Sequence, residues 1–588
     1  MTWLAAAALT LAAPVWAEAN ADARFKQIYE QEWAWRNGQS GISTSGEAQP
    51  NGSRLDNVDA ANQQKRLDYW QKVLTSLDAI DPKQLSAEEQ VNYAVYRAQV
   101  QNLLAAQQFK QWQMPFNSDS AFWSDLNYVL EGENLRTEKD YRRYLDRLGQ
   151  VPSYFQQQIA NMRDGLARGF TVPRAVLDGR DVSIASVAEL KDPTQSSFYK
   201  PFEKMPASIA PAQAAKMQEE ARQAIAGKVI PAYANLLTFF RDEYVPKART
   251  TLAAEAMPDG KAWYRQQIIE YTTLDLSPDA IHQIGLDQVA KIHAEMVKTM
   301  QETGFKGSFA DFLHFLRTDP QFYAKTPDEL LMRTAWVAKQ VDAQLGKEFG
   351  RLPRQRFAIV PVSPDIAPYY TSGRGGANSY LVNTYDLPSR PLYNMPALTL
   401  HESAPGHSLQ LALAAEQKGQ PAFRREGYIS AYGEGWGLYS EYLGNEMGIY
   451  KTPYDRFGYL TYQMWRAARL VVDTGIHHLG WTRQQAIDFM TQNTALSDRE
   501  IANEVDRYIS WPGQALSYEL GYLKILELRQ KAEQALGSKF DIRHFHDTVL
   551  QIGSVPLPVL EQRIDRFIAD GGPEPDFGDD CAKPTKAP

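Results

Sequence analysis

A chain of 588 residues and 66.4 kDa, 44% hydrophobic and 22% charged, is too long for a small binding module and has the composition of a globular protein. Its 37 glycines and 33 prolines stay near average usage, which excludes collagen-like, disordered and low-complexity classes. A net charge of −8 and a pI of about 5.7 lack the basic excess of a polyanion binder, so nucleic acid is not an expected partner.

At the start of the chain, Leu4 to Val15 form an apolar run, followed by small residues around Val15-Trp16-Ala17 and Asn20-Ala21. That order predicts a signal peptide over residues 1–21 and a periplasmic or secreted mature protein. A membrane anchor is the competing reading, but the run is shorter than the roughly 20 apolar residues a span requires. No later segment supplies such a stretch, so no stable membrane span is expected after signal removal. From Asp22 to about Gly350 the sequence reads as successive amphipathic helices. Leu67, Trp70, Leu74 and Leu77 recur at helical spacing and stop before Asp81-Pro82. Tyr93, Tyr96, Val100, Leu103 and Leu104 continue the pattern within 85–108, and Ile281, Ile284, Val289, Ile292 and Met296 repeat it within 279–303. These stripes predict core, and residues 22–350 form a helical N-terminal part. The less regular stretch from Gly169 to Pro211 reads as a surface excursion or a subdomain link.

Around Phe357 the texture changes. Phe357-Ala358-Ile359-Val360-Pro361-Val362 and Ser379-Tyr380-Leu381-Val382-Asn383 are short β-prone runs separated by Ser372-Gly373-Arg374-Gly375-Gly376, which predicts a small hairpin or sheet. The glycine run precedes a strand and has no Lys-Ser/Thr partner, so it does not fit a phosphate loop. Helical patterning resumes at Pro396 and continues to about Ala569, giving a second part over 351–570 that forms one integrated fold with the first. Residues 571–588 read as a loose acidic tail. That tail holds the only cysteine, Cys581, so an intramolecular disulfide is excluded and any metal ligation must use His and carboxylate side chains.

Only 9 histidines occur, and two of them bracket His401-Glu402-Ser403-Ala404-Pro405-Gly406-His407, directly after the apolar Ala397-Leu398-Thr399-Leu400. In an H-E-x-x-H helix two His four apart share a face and reach zinc, while the Glu activates the metal-bound water. Here the second His comes six residues after the first, which on an unbroken helix turns it roughly 120° away. Pro405 removes an amide donor and Gly406 tolerates unusual backbone angles, so a break there can re-aim His407. Local unwinding is a requirement of the metal reading; a capped, hydrogen-bonded helix junction is the alternative. Downstream, Glu434 and Glu441 stand seven residues apart in Gly433-Glu434-Gly435-Trp436-Gly437-Leu438-Tyr439-Ser440-Glu441, on nearly one helical face. A zinc site needs a third ligand and a group that orients the rings, roles that fall to Glu434 and Glu441 respectively. The polar stripe Arg466, Arg469, Asp473 and His477 fits either an internal salt-bridge network or contacts behind the metal site, where Asp473 and His477 are placed. In the segment from Arg507 to Tyr518 a cation, an amide and two phenols surround Pro512-Gly513. They suit oxyanion or carboxylate binding and equally the packing of a helix start.

Together these segments resemble a bacterial family, domain of unknown function 885. Its pattern is a stretched H-E-x-x-P-G-H, then E-G-W-x-L-Y-x-E, then R-Y-x-x-x-P-G-Q-x-x-x-Y. The sequence carries them at His401 to His407, Glu434 to Glu441 and Arg507 to Tyr518, and Asp473-x-Gly475-x-His477 also looks like the family. That family is in turn similar to the helical gluzincin peptidases, including neurolysin, angiotensin-converting enzyme and carboxypeptidase Taq. The resemblance implies a mainly α-helical, two-lobed fold with a deep cleft, a short strand beside the zinc helix and a third Glu ligand further along. Ser379 to Asn383 and Glu434, 27 residues after His407, meet that order. The expected activity is an exported metallopeptidase acting on short or unfolded peptides, with one zinc ion held by His401, His407 and Glu434 and with Glu402 as general base. Tyr518, or else Tyr508, would donate to the oxyanion. The backbone of Ser379 to Asn383 would align the peptide as an added strand. Arg507 or Arg374 would bind a substrate carboxylate, with Asn378, Tyr380, Tyr508 and Gln514 also expected to face substrate. The alternatives are a zinc amidase or esterase with a non-peptide substrate, and a non-catalytic helical binding protein with a structural metal site.

Overall fold

The computed structural model describes residues 12–39, 54–118, 120–131, 135–364 and 367–576. Residues 1–11 of the expected signal segment lie outside these, as do residues 577–588 of the expected tail with Cys581. A helix, Ala12–Gln39, runs through the remainder of the 1–21 segment. The periodic stripes form helices, and short polar side chains start them: Asp59 ahead of Ala60–Asp78, Ser86 ahead of Ala87–Gln108, and Ser277 ahead of Pro278–Glu302. Each side chain accepts from a first-turn N–H that has no carbonyl partner inside its own helix. Between Gly169 and Pro211 the chain makes only short turns of helix such as Arg174–Val176 and Val182–Ala188. Two five-residue π-helical stretches, Ile225–Val229 and Phe240–Tyr244, each end just ahead of a proline, Pro231 and Pro246. Proline lacks an N–H and crowds the carbonyl four residues back, and a widened turn ahead of it relieves that conflict.

The described residues divide into two units, one holding those up to Trp263 with Ile509–Trp511, the other those from Tyr264 to Tyr508 and from Pro512 to Asp576. In the first unit the buried Glu32 carboxylate accepts from Arg36, from Trp70 Nε1 over 3.0 Å and from the Tyr96 hydroxyl over 3.0 Å. Residue 350 itself lies inside the second unit, whose packing spans it. Pro278–Glu302 lies along Pro453–His477, where a Cβ on Gly285 would sit 2.8 Å from the side chains of both Leu470 and Val471. Pro327–Glu348 packs on Met395–Glu402. The change of texture near residue 350 therefore marks a change of local structure inside one core, not the edge of a core.

The second unit also carries a three-stranded sheet: β1 (Ala358–Pro361), β2 (Gly373–Gly375) and β3 (Ser379–Val382) in the order β1-β3-β2. β1 runs parallel to β3, with Ala358 opposite Ser379, and β2 runs antiparallel, with Gly373 opposite Val382. The glycine-rich stretch that separates the two β-prone runs is thus itself a strand. It packs against Met395–Glu402, so the protein is mainly α-helical with one small sheet beside the helix that carries His401. No helix among the described residues is long and apolar enough to cross a membrane.

Candidate metal centre

The Met395–Glu402 helix stops inside the motif, and a new helix, His407–Glu416, starts at the second His. Between them the Gly406 amide donates to the Leu400 carbonyl over 3.0 Å, and the Ser408 amide to the Ser403 carbonyl over 3.0 Å. These bonds reach six and five residues back, against four in an α-helix. The wide loop takes up the two extra residues and returns His407 to the side of His401, with ring centroids 4.8 Å apart and planes at 90°. Gly406 is needed for this approach, because a Cβ there would lie 1.9 Å from the His401 carbonyl oxygen. Trp436 secures the loop from outside, its Nε1 donating to the Pro405 carbonyl over 2.8 Å.

Glu434 and Glu441 project from one helix, Ser430–Glu446. Glu434 Oε2 lies 3.5 Å from His401 Nε2 and 3.4 Å from His407 Nε2, and one ligand atom from each of the three falls within 4.8 Å of the others. Tetrahedral zinc with bonds of about 2.0–2.2 Å has ligand-to-ligand edges of roughly 3.3–3.6 Å, and the two edges that meet at Glu434 Oε2 match them. The two imidazoles are 2% and 8% exposed. Behind them the fully buried Glu441 Oε1 accepts from His401 Nδ1 over 2.9 Å, which leaves Nε2 to face the cluster. The helix can come this close because residue 437 is glycine: a Cβ there would lie 2.6 Å from His401 Cε1. Burial works against an imidazolium at His401, yet the Glu434 and Glu441 carboxylates raise it to about 10. Burial likewise opposes ionisation of Glu434, but the two imidazoles beside it hold its carboxyl well below the usual range.

Glu402 Oε2 accepts from the Gly375 amide over 2.7 Å. β2 reaches the end of the motif helix through that glycine, since a Cβ there would lie 1.9 Å from the Glu402 carbonyl oxygen. The same sheet corrects one expectation. β3 is the middle strand, both its edges are paired, and so Ser379 to Asn383 cannot receive an added strand. Tyr380 points inward and is fully buried, and the Asn383 amide is spent on the carbonyls of Ala367, Tyr370 and Thr371. Arg374 and Asn378 are exposed, Arg374 lying over the Tyr370 ring at 5.6 Å.

Tyr508, expected to face substrate, is closed off in the same way. It is 1% exposed, donates to Glu504 over 2.9 Å and accepts from Trp465 Nε1 over 2.9 Å and Arg469 Nε over 3.0 Å. Asp473 and His477, placed behind the metal ligands from the sequence, instead secure the Pro512-Gly513 turn. Asp473 accepts from the Tyr264 hydroxyl over 2.6 Å and from the Gly513 amide, and His477 Nε2 donates to the Tyr508 carbonyl over 2.8 Å. At 1.5 Å per residue they lie roughly 10 and 16 Å along their helix from Arg466, which is the residue level with Glu441. Burial pushes the Asp473 carboxyl up to about 7. The turn carries Gln514, which is buried and accepts from Arg507 Nη1 over 3.0 Å, and the half-buried Tyr518, whose ring lies 4.2 Å from the Arg469 guanidinium. Arg507 and Arg469 share Glu504, which they hold at about 2 although burial opposes it. The sequence reading missed Tyr428. Its hydroxyl donates to Glu434 Oε1 over 3.0 Å, while the residue is 49% exposed. Its ring occupies space that Gly433 leaves open, and the alternation of Gly433, Gly435 and Gly437 was the available signal for such close approaches.

A family model described as "Bacterial protein of unknown function (DUF885)" matches residues 39–564. The chain belongs to this family. No curated protein matches this DUF885 member significantly. Among solved structures, a candidate lipoprotein from Colwellia psychrerythraea aligns at 27% identity and a TM-score of 0.85, covering 94% of this chain and 99% of its own. A candidate lipoprotein of unknown function from Shewanella oneidensis aligns at 18% identity and a TM-score of 0.67, covering 92% and 98%. The second likeness bears on the fold alone.

Proposed function

We propose that this DUF885 protein is an exported zinc-dependent peptidase acting on short or unfolded peptides. The observation that carries the reading is the convergence of His401 Nε2, His407 Nε2 and Glu434 Oε2, with Glu402 alongside on an orienting backbone amide. Bound zinc would supply an activated water and a Lewis acid for the scissile carbonyl. Glu402 holds and moves the proton: Gly375 fixes one carboxylate oxygen, and the other serves the water and later the leaving amine. β2 is an edge strand of the sheet, so Gly373–Gly375, and not β3, is the stretch assigned to align an extended peptide, with the Gly375 amide itself engaged by Glu402. Tyr518 is the phenol assigned to the substrate oxyanion, since Tyr508 is occupied. Arg374, exposed on β2, and Arg507 beside Gln514 are assigned to substrate carboxylates. Export is supported by the apolar segment Leu4 to Val15 and by the description of the Colwellia psychrerythraea relative as a candidate lipoprotein.

The test begins with metal content after exhaustive dialysis, comparing the parent with His407→Ala, and proceeds to a peptide library and an ester and amide panel. About one zinc per chain in the parent, a large loss in His407→Ala, and peptide turnover that Glu402→Gln lowers by about 10²- to 10⁴-fold without loss of zinc are the expected results. Absence of zinc binding, or full turnover in Glu402→Gln, would refute the reading. Turnover of esters or amides alone would move the substrate to a non-peptide class.

A further inference from the structure

Behind His401 the line of contacts runs one residue deeper than the carboxylate that meets its ring. Glu441 Oε1, which accepts from His401 Nδ1 over 2.9 Å, is also 3.3 Å from Arg466 Nη2. The side chains of His401, Glu441 and Arg466 are 3%, 0% and 4% exposed, so water does not compete for these contacts. Glu441 Oε2 has no hydrogen-bond partner among the described residues, and the carboxylate's orientation therefore rests on the one oxygen that His401 and Arg466 share. Arg466 is itself fixed. Its guanidinium lies over Tyr462 and Trp465, 4.6 and 4.4 Å from the ring centroids, and its Nη1 reaches the Tyr462 carbonyl over 3.4 Å.

A guanidinium has donors only, so the oxygen it faces is held as an acceptor. An imidazole whose Nδ1 donates to an acceptor keeps its proton there, so the Nε2 proton is the one a metal displaces to gain that lone pair. We propose that Arg466 is a positioning residue of the metal centre. Through Glu441 it fixes the ring plane and tautomer of His401, and so sets metal affinity without touching a ligand atom. This rests on the metal reading of His401, His407 and Glu434.

The experiment is zinc affinity by chelator competition, with cobalt absorption as a second readout, on the full-length parent and on His407→Ala, Glu441→Gln, Arg466→Gln, Arg466→Lys and the Glu441→Gln/Arg466→Gln double variant. Circular dichroism on metal-free samples checks folding. Arg466→Gln is expected to lose about 10- to 100-fold in affinity, the range for groups that orient a ligand. Arg466→Lys recovers most of it, and the double variant loses no more than Glu441→Gln alone. A folded Arg466→Gln with parental affinity, or a double variant whose loss is the product of the two single losses, would overturn the proposal. If Arg466→Gln does not fold, Glu441→Gln/Arg466→Met removes both buried charges and is compared with Glu441→Gln. Equal affinity supports the relay and a further loss refutes it. Parental affinity in His407→Ala would sink the metal reading itself, a failure separate from any result at Arg466.

Discussion

At His401 the direction of each effect follows from single atoms. Two carboxylates on one helix face meet the two nitrogens of one ring, and the ring prefers positive charge although it is buried. A cation placed among the Nε2 atoms and Glu434 satisfies that preference, and Glu402 stands apart from it on the Gly375 amide. Glu402→Gln keeps the shape and loses the proton acceptor, so kcat is expected to fall by about 10²- to 10⁴-fold with zinc content unchanged. A second residue-level prediction concerns Glu519, fully buried with neither carboxylate oxygen hydrogen-bonded among the described residues. Burial raises its folded-state value from 4.5 to about 8, with Arg466 working the other way. Between those two values the folded chain keeps a proton that the unfolded chain has released, so stability falls as pH rises through this window and stays reduced above it. Glu519→Gln removes the dependence. Its melting temperature should draw ahead of the parent's from pH 5 to pH 8, and parallel pH profiles would refute the assignment. Glu434 and Glu441 were legible because a seven-residue spacing maps directly onto one helical face. Tyr508 was misplaced although its burial was also legible, since Ile501, Val505 and Tyr508 recur at helical spacing and all three face the core. Tyr428 lies ahead of its helix, where no period points at the site.

At the level of elements the centre depends on how closely backbones approach. Gly406 lets the motif loop close on the His401 carbonyl, Gly375 lets β2 meet Glu402, and Gly437 lets the Ser430–Glu446 helix lie against the His401 ring. Proline and glycine inside H-E-x-x-P-G-H announce a break, but the return of His407 follows from bonds six and five residues long that no propensity encodes. For the same reason the two β-prone runs were readable and the glycine strand between them was not: glycine is depleted in strands, and only pairing with β3 and contact with the motif helix make Gly373–Gly375 extended. Gly437→Ala tests the approach directly. Its Cβ would lie 2.6 Å from His401 Cε1, so the ring or the helix must shift. The expected result is at least a tenfold loss of zinc affinity, with a destabilisation of about 1–3 kcal/mol from overpacking, read by chelator competition and urea unfolding. Parental affinity in a stable Gly437→Ala would mean that His401 is not held by this contact.

For the whole molecule, the three residues proposed as metal ligands come from three helices, Met395–Glu402, His407–Glu416 and Ser430–Glu446, all inside the second unit. An ion that binds the folded form alone stabilises it by RT ln(1 + [L]/Kd), about 2.7 kcal/mol at a hundredfold excess over Kd. That free energy suppresses only openings that break the site, because an opening that leaves all ligands in place leaves the ion bound. Amide hydrogen exchange with and without zinc should therefore slow along those three helices and along Pro453–His477, which is joined to them through Arg466 and Glu441. Exchange in residues 54–118 of the first unit should be unchanged. Slowing confined to surface acidic residues would indicate adventitious binding and remove the metal centre from consideration. Equal slowing in both units would mean that they open together, so that the ion stabilises one cooperative structure.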